Sequence, residues 1–141
     1  MRISKGDTST QTVETTKEWE CFLRQILPVL WTRHTSRNYW NEDQWSIMHP
    51  STGQCAVTAL LVQSLCGGVI CRVEFEGQGH YFGSIDGEIV DLTTGQFDSL
   101  PDYTEGKLVG RNQILLNQST MRRYSLLRSQ FDQFVKRIRK T

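Results

Sequence analysis

From Ala56 to Val62 the chain carries one polar residue, Thr58. A helical run with no polar face is buried on every side, so the pattern predicts a central helix entered near Cys55 and left at Gly67-Gly68. Ser51 followed by Gln54 reads as an N-cap with a capping box. Trp19, Phe22, Leu23, Ile26, Leu27 and Leu30 recur at helical spacing, predicting an amphipathic helix over 18–27 that Pro28 ends or kinks. Val69, Cys71, Val73 and Phe75 alternate as a strand, Gly77-Gln-Gly79 is a turn, and His80–Ile85 is a second strand. Asp86-Gly87 signals a tight hairpin into a third strand, Glu88–Leu92. Residues 93–113 read as a surface loop with a short strand at 107–109. Met121, Tyr124, Leu127, Phe131, Phe134, Val135 and Ile138 then line a long C-terminal helix.

The hairpin places chemistry. A two-residue Asp-Gly loop sets Ile85 opposite Glu88, Gly83 opposite Val90 and Phe82 opposite Asp91. His80, Phe82 and Ser84 then share a face with Asp91, which lies diagonal to His80. Diagonal neighbours are about 7–8 Å apart at the backbone, within reach of a His–carboxylate hydrogen bond. A one-residue slip would send Asp91 to the other face. Cys55, in the first turn of the central helix, faces unpaired N–H groups and the positive end of the dipole. Both favour a thiolate, and the same N–H groups can hold an oxyanion. The alternative is a small buried hydrophobe, the usual role of a free cysteine. Cys55, His80 and Asp91 together form the nucleophile, base and orienter of a cysteine enzyme. His49 competes as the base, but a strand histidine with a carboxylate partner has its tautomer fixed.

Pro50-Ser-x-Gly-Gln-Cys-Ala-Val-Thr-Ala-Leu-x-Val-Gln63, Gly79-His-Tyr81 and Val90-Asp-Leu-Thr-x-x-Gln-Phe97 resemble, in that order, the YunG family of small bacterial proteins. The later Leu115-Leu-x-Asn-x-x-Thr-x-x-Arg-Tyr-x-Leu-Leu127 is similar too, and the resemblance spans about residues 45–131. The order Cys, His, Asp on helix, strand, strand also resembles the papain-like and transglutaminase-like superfamily. That wider likeness implies acyl transfer through a thioester, with Cys55 as nucleophile, His80 as base and Asp91 as orienting carboxylate. The oxyanion glutamine of papain-like enzymes precedes the cysteine, and Gln44 and Gln54 are the two candidates. Trp40, Trp45 and Tyr81 are candidate substrate contacts; the aromatics of 31–49 either wall a cleft or cover the edge of the core.

Composition narrows the alternatives. At 141 residues, one α+β domain over 17–141 is expected, a minimal papain-like core behind a Ser/Thr-rich flexible arm, residues 1–16. Sixteen basic against fifteen acidic residues give no global case for nucleic acid. No apolar run is long enough to span a membrane, and the N-terminus has no apolar signal core, so a cytoplasmic protein is expected. Four cysteines at 21, 55, 66 and 71 do not pair as a disulfide framework, and Cys66 and Cys71 lack the further ligands of a metal site. No cofactor is expected. The substrate would be a peptide, a protein or a small amide. The alternative is a non-catalytic module of the same shape, contacting an acidic partner through the basic C-terminal helix.

Overall fold

The computed structural model describes residues 15–37 and 45–140. Among these residues are four α-helices, α1 (Thr16–Leu30), α2 (Cys55–Cys66), α3 (Arg111–Leu115) and α4 (Gln118–Arg139), and one sheet. Its strands are β1 (Val69–Phe75), β2 (Gln78–Ile85), β3 (Glu88–Val90) and β4 (Lys107–Val109), in the order β3-β2-β1-β4, antiparallel throughout. The fold class is α+β.

Helix α2 is central because neither of its sides can face water. Val57 and Leu61 pack into one cluster with Trp19, Leu23 and Leu27 of α1 and Leu127 and Phe131 of α4. Ala59 and Leu60 pack into a second with Ile70 of β1 and Ile114 of α3. The lone polar residue of the run, buried Thr58, accepts a hydrogen bond from the Trp31 indole at 3.0 Å, so Trp31 belongs to the core.

Two expected helix boundaries move. Helix α1 begins at Thr16, capped by Thr15 in a reciprocal box with Glu18, so the end of the expected arm is already helix; residues 1–14 lie outside the described residues. Pro28 stays inside α1 on its exposed side. Helix α2 begins one residue after Gln54, and no side chain caps it. Ser51 serves instead as a turn residue, its carbonyl accepting the Gln54 N–H at 3.1 Å. The expected capping box is absent because Gln54 turns inward.

Both hairpins have tight two-residue loops with left-handed backbone, Glu76-Gly77 at φ 53° and 79° and Asp86-Gly87 at φ 52° and 81°. Such turns match the twist of paired strands. The first brings β2 in at Gln78, earlier than a Gly77–Gly79 turn predicts. The second gives the expected register, Ile85 to Glu88, Ser84 to Ile89 and Gly83 to Val90. Gly68, at φ 77°, lets β1 start against β2: a Cβ there would lie 2.6 Å from the Ser84 carbonyl.

Candidate active site

Cys55 is the first residue of α2, and the turn before it is held from two sides. On one side Ser36 Oγ donates to the Thr52 carbonyl and the Arg37 N–H to the Gly53 carbonyl, both at 2.8 Å. On the other, Gln96 Oε1 accepts the Gly53 N–H at 3.2 Å. Among the described residues nothing accepts from the backbone N–H of Cys55 or Ala56, as the open first turn of a helix dictates. The thiol is free and half-buried, and it lines a cleft of about 480 Å³ with Gly53, His80, Tyr81 and Phe97.

His80 stands on β2, 1% exposed, with the edge of Phe97 packed at 4.9 Å. Its Nε2 lies 2.6 Å from Asp91 Oδ2. Asp91, 7% exposed, follows β3 directly, where the hairpin register carries it. Tyr103 donates its hydroxyl to Oδ2 at 2.8 Å, and Thr93 donates its N–H and hydroxyl to Oδ1 at 3.2 and 3.3 Å. Burial pushes the Asp91 carboxyl up, but these hydrogen bonds outweigh it and hold the group below the usual carboxylate range. Burial and the bond to Asp91 raise the Tyr103 phenol, keeping it a donor.

The imidazole is pulled two ways. Burial disfavours its charge, yet hydrogen bonding to Asp91 and the nearby Cys55 sulfur outweigh it and raise the pKa to about 9. Because Nε2 is engaged by Asp91, Nδ1 is the ring nitrogen left for the thiol. That nitrogen is buried and makes no hydrogen bond of good geometry. The sulfur is thus near enough to bias the ring without a formed bond, as catalytic pairs without substrate often are.

Other expectations sort by place. Tyr81 lines the cleft. Gln54 does not: it is 0% exposed, and its Nε2 donates to the Thr32 carbonyl at 3.0 Å. An oxyanion role for Gln54 is therefore corrected to a brace on the 32–37 segment. Trp45, expected at the cleft, donates its indole N–H to the Pro50 carbonyl at 2.9 Å and is not among the cleft residues. Gln44 and Trp40 lie outside the described residues. His49 is exposed and away from the cleft, so it does not compete with His80.

Sequence reasoning missed Tyr103, Gln96, Arg37 and Arg123. Tyr103 sits in a turn with no periodicity. Arg123 had a signal, because it is four residues before Leu127 on the buried stripe of α4. It is 5% exposed, with Nη1 on the Thr35 carbonyl at 3.3 Å and Nη2 on Thr120 Oγ1 at 3.0 Å, and it lines the cleft instead of joining a solvated face. Among the described residues no cluster of three potential metal ligands occurs, and no helix is long and apolar enough to cross a membrane.

Fold and site define an α+β domain with a cysteine and a histidine at one cleft and a buried aspartate behind the histidine. The family model described as YunG protein matches residues 20–136, and the chain belongs to the YunG family. It is 36% identical over 81 residues to the "Uncharacterized protein YunG" of Bacillus subtilis (strain 168), a match covering 57% of this chain and 65% of that protein. No solved structure matches it at a significant level.

Proposed function

We propose that the chain is a papain-like cysteine hydrolase, cleaving an amide by acyl transfer through a thioester. The observation that carries this reading is the division of the His80 ring: Nε2 is anchored 2.6 Å from Asp91, and Nδ1 is buried, unpaired and biased by Cys55 at a cleft. The thiol proton passes to Nδ1 ahead of attack, as the raised His80 pKa favours, and the sulfur bonds to the carbonyl carbon. The Cys55 backbone N–H steadies the oxyanion. Collapse breaks the C–N bond, and the imidazolium returns its proton to the leaving amine. Water, deprotonated by His80, then hydrolyses the thioester to the acid and restores the thiol. Asp91 holds the ring throughout and stays ionised.

The test is trapping with a p-nitrophenyl ester. Wild type forms an acyl adduct on Cys55, seen by intact and peptide mass, which hydroxylamine removes; Cys55→Ala forms none. An adduct spread equally over Cys21, Cys66 and Cys71 defeats the reading. If charge reversal at Arg137 and Arg139 removes function in cells while Cys55→Ala does not, the binding-module alternative replaces it.

A further inference from the structure

We infer that the cleft selects an acyl substrate carrying a carboxylate beside the scissile carbonyl, received by Arg37 beside the charge of Arg123. The inference rests on the hydrolase reading and names its substrate class. Both guanidinium groups line the cleft that holds Cys55 and His80. Arg123 is fixed in the wall by Ser119 Oγ, Thr120 Oγ1 and the Thr35 carbonyl. A cation set in a buried wall acts more strongly than one in water.

Arg37 is exposed and donates Nη2 to Gln78 Oε1 at 2.8 Å. Its own N–H is tied to Gly53, two residues before the nucleophile, so its backbone is anchored beside the reacting thiol and its side chain lines the cleft. Asn117, Ser119 and Thr120, at the start of α4, face the same cleft and add the positive end of a long helix. Against them stands Glu76, the one carboxylate among the described cleft residues, exposed on the first hairpin turn. The Arg37 guanidinium fork fits a carboxylate in two parallel hydrogen bonds, while Arg123, its donors turned to the wall, adds charge.

Iodoacetate and iodoacetamide test this directly. They share a leaving group and differ in carboxylate against carboxamide. The ratio of their alkylation rates is read at Cys55 by peptide mass spectrometry and divided by the same ratio at exposed Cys21. The normalised ratio is expected to be about tenfold in favour of the anion, falling as salt rises from about 0.05 to about 0.5 M. Arg37→Gln lowers it at least threefold, and Lys136→Gln, at the far end of α4, leaves it in place. Arg123→Gln lowers it too if circular dichroism shows a folded chain; Arg37→Gln decides the matter alone if it does not. A normalised ratio at or below one, or one that Arg37→Gln does not move, overturns the inference. Slow reaction of Cys55 with the neutral reagent counts instead against the hydrolase reading, since the ratio cancels thiol reactivity.

Discussion

Two polar clusters stand at the ends of helix α2, one at Cys55 and one near Cys66, and they are finished differently. At the far end Arg111 spends Nη1 on the Leu60 carbonyl and Gln63 Oε1, at 3.0 and 3.1 Å, and Nη2 on Ser64 Oγ and Tyr124 Oη, at 2.9 and 3.1 Å. Ser64 and Tyr124 bond each other at 2.9 Å. Burial pushes the Tyr124 phenol up, and its bonds to Ser64, Arg111 and Arg128 more than reverse that. This cluster is closed. The His80–Asp91–Tyr103 cluster is held as firmly on the carboxylate side but leaves Nδ1 buried and unpaired beside a thiol and a cleft. Burying an unpaired polar atom costs about 1–3 kcal/mol, and folding alone gives no reason to keep it. Polarity and burial do not mark a site; an unsatisfied group facing a cleft does.

Cutting each cluster should therefore give opposite phenotypes. The largest effect is expected from Cys55→Ala, with ester-trapped adduct and hydrolysis lost while urea unfolding shifts by less than about 1 kcal/mol, as for a half-buried side chain. Asp91→Asn should slow acylation roughly 10²-fold or more, because the ring loses its orienting charge. Arg111→Met should do the reverse: a stability loss of about 2 kcal/mol from orphaned partners, with the acylation rate of the folded fraction kept. Tyr103→Phe should have the smallest effect, about 1 kcal/mol and a severalfold slower rate, from one lost donor to Asp91.

Titration sharpens the same contrast. His80 is raised from 6.5 to about 9, so the stability its charge contributes is complete below about pH 6.5 and drains as pH rises through 9. Asp91 is lowered, so its contribution is present above the ordinary carboxylate range and is lost as pH falls from there through its lowered folded value. Urea midpoints should drop between pH 6.5 and 9.5 in wild type and in Arg111→Met, and the drop should flatten in Asp91→Asn. An undiminished drop in Asp91→Asn would mean the His80–Asp91 pair does not set it.

Much of this site could be read in the chain because its parts obey short-range rules. Asp86-Gly87 permits only a tight turn, and with the register fixed, His80 and Asp91 had to share a face. The apolar run from Ala56 had to be central, and that put Cys55 at an open helix start. Gln54 was misread because a glutamine three residues after a serine suits a capping box, while the deciding contact is with Thr32, 22 residues away. Tyr103 and Gln96 act from short turns whose position follows from Phe82 and Phe97 packing, not from any period. Arg111 could have paired with a carboxylate or been solvated; its real acceptors lie on α2 and α4, 13–51 residues away.

The decisive measurement is the iodoacetamide rate at each cysteine of the folded protein, followed from pH 5 to 10 in wild type and His80→Gln. Cys55 should react at pH 7 at least tenfold faster than exposed Cys21, and His80→Gln should remove most of that advantage. Equal rates at Cys55 and Cys21, or an advantage untouched by His80→Gln, would mean that the sulfur and the imidazole do not work together.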